Sequence, residues 1–205
     1  MMQVWGRLNS INTQKVLWCC DELRLNYEQI DAGRGYGHVD TSDYYRLNPN
    51  RKVPTLVDGD YVLWESNSIL RYLAAKHGGA TGLYPAEAGP RASVDRWLDW
   101  QLSTLHVAAV QVNTGYFGVP VAKRDFAQTS EGLQKSAPVW KILDEHLAGR
   151  NFVEGDQFTI ADIGIGVYAR RWFGVPEVEI PHFQNLAAWY ARLEKRAGLQ
   201  RCFVE

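Results

Sequence analysis

Two short runs of β-formers, residues 55–57 and 61–64, flank Asp58-Gly59-Asp60, and no other feature restricts the fold of this chain as tightly. An Asp-Gly pair between β-forming runs is a strong hairpin signal, because Gly takes the positive φ that a tight turn demands. Pro54 stands at the mouth of the first strand, where its missing N–H harms the ladder least. Glu65-Ser66 closes the second strand, and Ser66 is suited to cap a following helix. Adjacent polar residues at a strand-to-helix turn leave main-chain N–H groups beside a hydroxyl and a carboxylate. That combination suits a small zwitterionic ligand.

The residues around the hairpin fit it into a mixed sheet. Residues 3–8 and 27–31 read as strands. Between them, residues 13–25 place Val16, Leu17, Cys20 and Leu23 at helical spacing, with Thr13 as the expected N-cap. Such a βαβ unit should be right-handed, with its strands parallel. Gly33-Arg34-Gly35-Tyr36-Gly37 reads as a loop, and residues 41–47 as a short helix ended by Asn48-Pro49-Asn50. Residues 66–77 carry Ile69, Leu70, Leu73 and His77 on one helical face. The order βαβ-α-ββα makes residues 1–79 an α/β unit.

The glycine-rich run 78–82 then breaks the pattern, and everything from residue 86 onward looks helical. Residues 91–112 carry Val94, Trp97, Leu98, Leu102, Leu105 and Ala109 on one stripe. Residues 131–147 carry Leu133, Ala137, Trp140, Leu143 and Leu147, with a kink or a late start expected at Pro138. Residues 115–125 hold too much Gly and Pro for an assignment. Thr159 and Asp162 have the spacing of a capping box, and Phe158 and Ile163 that of a hydrophobic staple. Gly164 and Gly166 follow inside that helix, each costing about 1 kcal/mol against Ala, so a central helix with close neighbours is expected. Its role is folding. A last helix spans residues 184–196.

Several function classes fall away. A net charge of -1 gives no general attraction to nucleic acid or to anionic membranes. No apolar run approaches the roughly eighteen residues of a membrane span, and the first five residues lack the charged-then-apolar pattern of a secretory signal. Three cysteines, two of them adjacent, cannot build a disulfide framework and fit a reducing cytoplasm. Cys19-Cys20 lacks the C-x-x-C spacing of redox pairs, so packing is expected of both, and Cys202 carries no signal. There is no Walker loop, no G-x-G-x-x-G after the first strand and no G-x-S-x-G elbow. The histidines His38, His77, His106, His146 and His182 are scattered, so no metal is expected.

The turn after the first strand, Asn9-Ser10-Ile11-Asn12-Thr13, offers more. N–H groups at a helix start point outward and the helix dipole favours an anion there. Ser10 and Asn12 can both donate hydrogen bonds at that spot. From these residues alone, plain capping and a ligand site remain equally open.

The pairing of Asn48-Pro49-x-x-Lys52-Val53-Pro54-Thr55-Leu56 with Glu65-Ser66-x-x-Ile69-x-x-Tyr72-Leu73 resembles the cytosolic glutathione S-transferases. Ser10-x-Asn12-x-x-Lys15-Val16 is similar to their bacterial theta/beta-like and nu-like branches, and Trp97-Leu98-Asp99-Trp100-Gln101 with the capping box extends the likeness through the helical half. The resemblance implies a thioredoxin-like glutathione-binding domain over residues 1–79, an all-helical domain over residues 86–205, and a cytoplasmic homodimer with glutathione as cosubstrate. It implies that Pro54 is cis, exposing the N–H and C=O of Val53 to the cysteinyl backbone of glutathione, a strand addition in miniature. Glu65 and Ser66 would grip the γ-glutamyl amine and carboxylate. Lys52, and less securely His38, would meet the glycyl carboxylate.

The thiol would then lie over the first turn. A free thiol has a pKa of about 8.5, and its thiolate is the nucleophile. A hydrogen bond to a charged group is worth about 1.5–3 kcal/mol, or roughly one to two pKa units, so one good donor and the helix terminus suffice without a general base. Theta-like relatives would favour Ser10 as that donor and nu-like relatives Asn12. The turn has no tyrosine, which excludes the tyrosine-type classes, and no cysteine at the position of Ser10, which weakens a mixed-disulfide mechanism. Trp100, His106, Val110, Tyr116 and Trp172 are the candidates for a pocket holding a hydrophobic electrophile, each with packing as the alternative. The resulting expectation is a glutathione transferase. Its rivals are a glutathione-dependent disulfide or peroxide reductase and a non-catalytic ligand-carrying module of the same fold.

Overall fold

The computed structural model describes residues 1–117 and 119–201, so Cys202 lies outside the described residues. The chain forms two compact units, residues 1–84 with 196–205 and residues 85–195.

The first unit is a mixed sheet with helices. Strands β1 (Met2–Trp5) and β2 (Tyr27–Ile30) pair in parallel across helix α1 (Ile11–Glu22), as a βαβ unit requires. After α2 (Ser42–Leu47), the hairpin β3 (Thr55–Asp58) and β4 (Tyr61–Trp64) joins β1 antiparallel, giving the order β2-β1-β3-β4. Gly59 turns the hairpin at φ 62. Helix α3 (Ser66–His77) closes the unit by packing on α1.

Local details depart from the sequence reading. β1 ends at Trp5 rather than at residue 8, because Gly6 begins the turn; a Cβ there would lie 2.4 Å from Thr13 Oγ1. Ser10, not Thr13, caps α1: its Oγ accepts the Thr13 N–H at 3.4 Å, the usual reach of an N-cap to the third helical residue. Likewise Glu65 is the N-cap of α3 and Ser66 its first residue.

The second unit is helical. Helix α4 (Ala88–Trp100) starts before residue 91, since Pro90 in its first turn has no N–H that needs a partner. It continues through a π-helical turn at Gln101–Leu105 into α5 (His106–Val112) and a second π turn at Asn113–Phe117. Helix α6 (Phe126–His146) also begins early, capped by Asp125, whose carboxylate accepts the Gln128 N–H at 2.9 Å, and it runs through Pro138. Helix α7 (Ile160–Phe173) is central: residues 160–169 are all buried, and a Cβ on Gly164 would lie 2.6 Å from Leu98 Cδ2 of α4. Helix α8 (Gln184–Leu193) follows.

The capping box at the start of α7 is present. The buried Asp162 carboxylate accepts the Thr159 N–H (2.9 Å) and hydroxyl (3.2 Å), and reaches further to the Val153 N–H (2.9 Å) and Trp189 Nε1–H (2.8 Å). Burial pushes its pKa up to about 6 against the pull of these bonds.

The expected last helix ends short, at Leu193, and the chain returns to the first unit as α9 (Ala197–Arg201). Arg196 donates two bonds to Glu22 (2.8 and 2.6 Å), Arg201 pairs with Asp21 (2.9 Å), and Gly198 lies against the Trp18 ring. Among the described residues no helix is long and apolar enough to cross a membrane, and no cluster of His, Cys, Asp and Glu is gathered for a metal.

Candidate active site

Sheet register assembles the site. Trp5 at the end of β1 pairs with Thr55 at the start of β3, and Thr55 pairs with Trp64 at the end of β4. The turn after β1, the segment before β3 and the turn after β4 therefore emerge at one end of the sheet. Ser10 and Asn12, then Lys52, Val53 and Pro54, then Glu65 and Ser66 belong to these three connections. Trp5 also pairs with Ile30, which brings the loop after β2 to the same end.

At the first connection Ser10 is buried, at the head of α1. Its oxygen accepts the Thr13 N–H, and a hydroxyl that accepts there keeps its own proton to give. Asn12 is half-buried, two residues further on. Gly6 lets the turn approach α1 closely enough to hold Ser10 in this place.

The second connection is held by a buried network that the sequence did not reveal. Tyr44 Oη and Asn48 Nδ2 both donate to the Lys52 carbonyl, at 2.7 and 2.9 Å. Asn48 also donates to Thr55 Oγ1 (3.1 Å), which lies 2.9 Å from Tyr44 Oη. Since the single Tyr44 proton goes to Lys52, the Thr55 hydroxyl donates to Tyr44, and every bond finds its partner. The Asn48 side-chain oxygen Oδ1 is used as well, accepting the Asn50 N–H at 3.0 Å. With both ends of the segment locked, Val53 lies half-buried between them, its peptide to Pro54 is cis, and no main-chain group among the described residues pairs with its N–H or C=O. The Lys52 side chain is exposed.

At the third connection Glu65 is exposed and held at φ 70, ψ 110, outside the regions ordinary side chains favour. Ser66 and Asn67 open α3, both buried. Beneath them lies the residue that sequence reasoning passed over, Lys15 of α1, 1% exposed, with Nζ 3.1 Å from Asn67 Oδ1 and 3.5 Å from Ser66 Oγ. Burial lowers its pKa to about 7, opposed by the Glu65 carboxylate. In the loop after β2, His38 is exposed and stacks edge-on against Trp5 at 5.7 Å. Arg7 is half-buried beside Gly33, its pKa lowered by burial and then by neighbouring Arg34, so two guanidiniums add positive potential at this sheet end.

The five pocket candidates belong to the helical unit. Val110 is exposed, and Trp100 is half-buried with its ring edge-on to Trp97 at 5.1 Å. His106 Nδ1 lies 2.8 Å from Tyr168 Oη. Tyr116 is buried, donating to Glu177 at 3.0 Å beneath the Arg124 guanidinium at 4.0 Å. Trp172 is buried against Trp140 and Phe183.

This arrangement has counterparts in known proteins. The glutathione S-transferase N-terminal domain model matches residues 1–75, and the corresponding C-terminal domain model matches residues 126–192. Glutathione S-transferase GstB of Escherichia coli strain K12 is 37% identical over 203 residues, which is 98% of this chain and 97% of that protein. Glutathione S-transferase D6 of Drosophila melanogaster is 26% identical, over 95% of this chain and 87% of that one. The theta-class glutathione S-transferase of Xanthomonas axonopodis pv. citri, solved with glutathione bound, superposes with a TM-score of 0.91 at 41% identity, covering 100% of this chain and 97% of that chain. With sequence and structure agreeing over the full length, this chain belongs to the glutathione S-transferase family.

Proposed function

We propose that this protein binds glutathione at the sheet end described above, holds its thiol as thiolate, and adds it to a hydrophobic electrophile. One observation carries the reading: Ser10 caps α1 with its oxygen and keeps its proton, at a helix start that favours an anion. The full length shared with a transferase solved with glutathione bound supports the choice of ligand.

In this reading the Val53 N–H and C=O pair with the cysteinyl backbone, and Pro54 shapes the approach. Glu65 takes the γ-glutamyl ammonium, and the Ser66 hydroxyl and N–H take its carboxylate. Lys52 meets the glycyl carboxylate, and Ser10, with Asn12 beside it, faces sulfur. The charges match: the Glu65 carboxylate meets the one ammonium, and the Lys52 ammonium and the Ser66 donors each meet one of the two carboxylates. Residues 1–79 then form the glutathione-binding domain, and the helical stretch from residue 86 supplies the electrophile site. Val110, Trp100 and His106, which keep exposed surface, are the proposed lining of that site, and the buried Tyr116 and Trp172 take the packing role. We further propose a cytoplasmic homodimer; the buried thiols of Cys19 and Cys20 suit a reducing compartment.

Asn12 favours a second reading, glutathione-dependent disulfide or peroxide reduction, through its likeness to the asparagine of nu-like relatives. Retention on immobilised glutathione, followed by turnover of a chlorinated aromatic and of a small disulfide, decides among the readings. Conjugation of the aromatic is the expected result. Turnover of the disulfide alone supports the reductase, and neither retention nor turnover supports a ligand-carrying module.

A further inference from the structure

A lysine is almost never fully buried unless its charge is held by partners, and Lys15 is 1% exposed. A methionine of similar length would fill the same space without the desolvation cost of an ammonium. The ammonium is therefore informative, and its contacts say where. Nζ lies 3.1 Å from Asn67 Oδ1 and 3.5 Å from Ser66 Oγ, the opening residues of α3. An ammonium has donors only, so Ser66 can only accept from it. A hydroxyl that accepts from below has one proton left, and that proton goes elsewhere.

We propose that Lys15 is a positioning residue for glutathione: through Ser66 and Asn67 it fixes the head of α3 and turns the Ser66 hydroxyl proton, with added positive charge, toward the γ-glutamyl carboxylate. The inference rests on the glutathione reading above and extends it to a residue that touches no ligand atom. Lys15 lies five residues after Ser10 in the same helix. One rigid element, α1, thus serves the sulfur end of the ligand with its N-cap and the glutamyl end with its buried cation.

Helix α3, packed on α1, carries Arg71, Tyr72, Lys76 and His77, of which Tyr72 and Lys76 are held by Asp58. Glu65, just ahead of α3, is the carboxylate that supports the charged form, against burial, which brings the pKa to about 7. β1 contributes no titratable side chain, being Met2, Gln3, Val4 and Trp5. The cations of the C-terminal segment, Arg196 and Arg201, are engaged by Glu22 and Asp21 at the other end of α1.

S-methylglutathione separates this role from thiol activation, since it keeps the glutamyl end and has no thiol to ionise. Its binding by calorimetry is compared for wild type, Lys15→Met, Ser66→Ala and the double variant, with thermal melting as the control for folding. Lys15→Met is expected to weaken binding about tenfold or more, in line with the strength of a hydrogen bond to a charged group, and the two losses should be strongly non-additive because one acts through the other. In turnover, the loss should fall on kcat/KM for glutathione more than on kcat. Wild-type affinity should decline between about pH 6 and pH 8.5 as the ammonium loses its proton, and Lys15→Met should remove that decline. A folded Lys15→Met that binds with wild-type affinity overturns the inference. Should that variant not fold, a wild-type affinity that is flat over this pH range overturns it. Wild type that binds neither glutathione nor S-methylglutathione overturns the glutathione reading itself.

Discussion

In the proposed reading, Glu65 is set for a ligand at a cost to the fold. At φ 70 and ψ 110 a side-chain-bearing residue carries about 1–3 kcal/mol of backbone strain. Glycine would relieve the strain, less the roughly 0.5–1 kcal/mol it loses through a freer unfolded chain. Glu65→Gly is therefore expected to melt at the same or a higher temperature than wild type while binding glutathione at least tenfold more weakly. Melting and calorimetry on one preparation check it, and a lower melting point with unchanged affinity would reverse the argument. At this scale Ser10, Pro54, Glu65 and Ser66 draw notice in the sequence because they sit at turns, yet the local capping rules point to Thr13 and Ser66 where the structure has Ser10 and Glu65. Lys15 was not legible. A charged residue in a helix is ordinarily solvated, and its partners stand 51 and 52 positions away. Only the hairpin, by carrying α3 back onto α1, makes it a buried cation. Tyr44 and Asn48 were missed likewise, because their common target is a main-chain carbonyl.

Among the elements, the start of α7 is the most constrained. Thr159 and Asp162 were readable as a capping box from a spacing of three, but the Val153 N–H and Trp189 Nε1–H also converge on the same carboxylate from other parts of the unit. Asp162→Ala strips several buried donors of their acceptor at once, so a loss of about 3–5 kcal/mol is expected in denaturant unfolding. Asp162→Asn, which keeps an acceptor oxygen, should lose less. Equal and small losses would mean that the box is ornamental. Element boundaries were less legible than element types for a related reason. Caps such as Ser10 and Asp125, and the tolerance of Pro90 in a first turn, shift a helix start by several residues without altering its apolar stripe.

For the whole molecule, two buried charges give stability an unusual pH dependence. Folding lowers the Lys15 pKa from 10.5 to about 7, so above about pH 7 the unfolded chain binds more protons and stability rises with pH toward 10.5. Folding raises the Asp162 pKa from 3.8 to about 6, so the native state binds more protons in that interval and stability falls as pH rises through it. Both costs are present together between about pH 6 and 7, where their combined contribution has its minimum. Melting temperature followed from pH 5 to 9 should show the alkaline rise in wild type and not in Lys15→Met. The glycine run at 78–82, where strand and helix patterns give way to helix alone, suggests a two-part plan, and the two compact units divide a little later, between residues 84 and 85. The return of the C-terminal segment to the first unit was not readable, since it depends on Arg196 meeting Glu22 across 174 positions.

The head of α1 is proposed to hold glutathione as a thiolate, which the ultraviolet thiolate absorbance of bound glutathione followed against pH reads out. The apparent thiol pKa on wild type is expected roughly one to two units below the ordinary value of about 8.5, with Ser10→Ala or Asn12→Ala returning most of that shift. A bound thiol that titrates near 8.5 in wild type, or a lowered value that neither substitution moves, would contradict it.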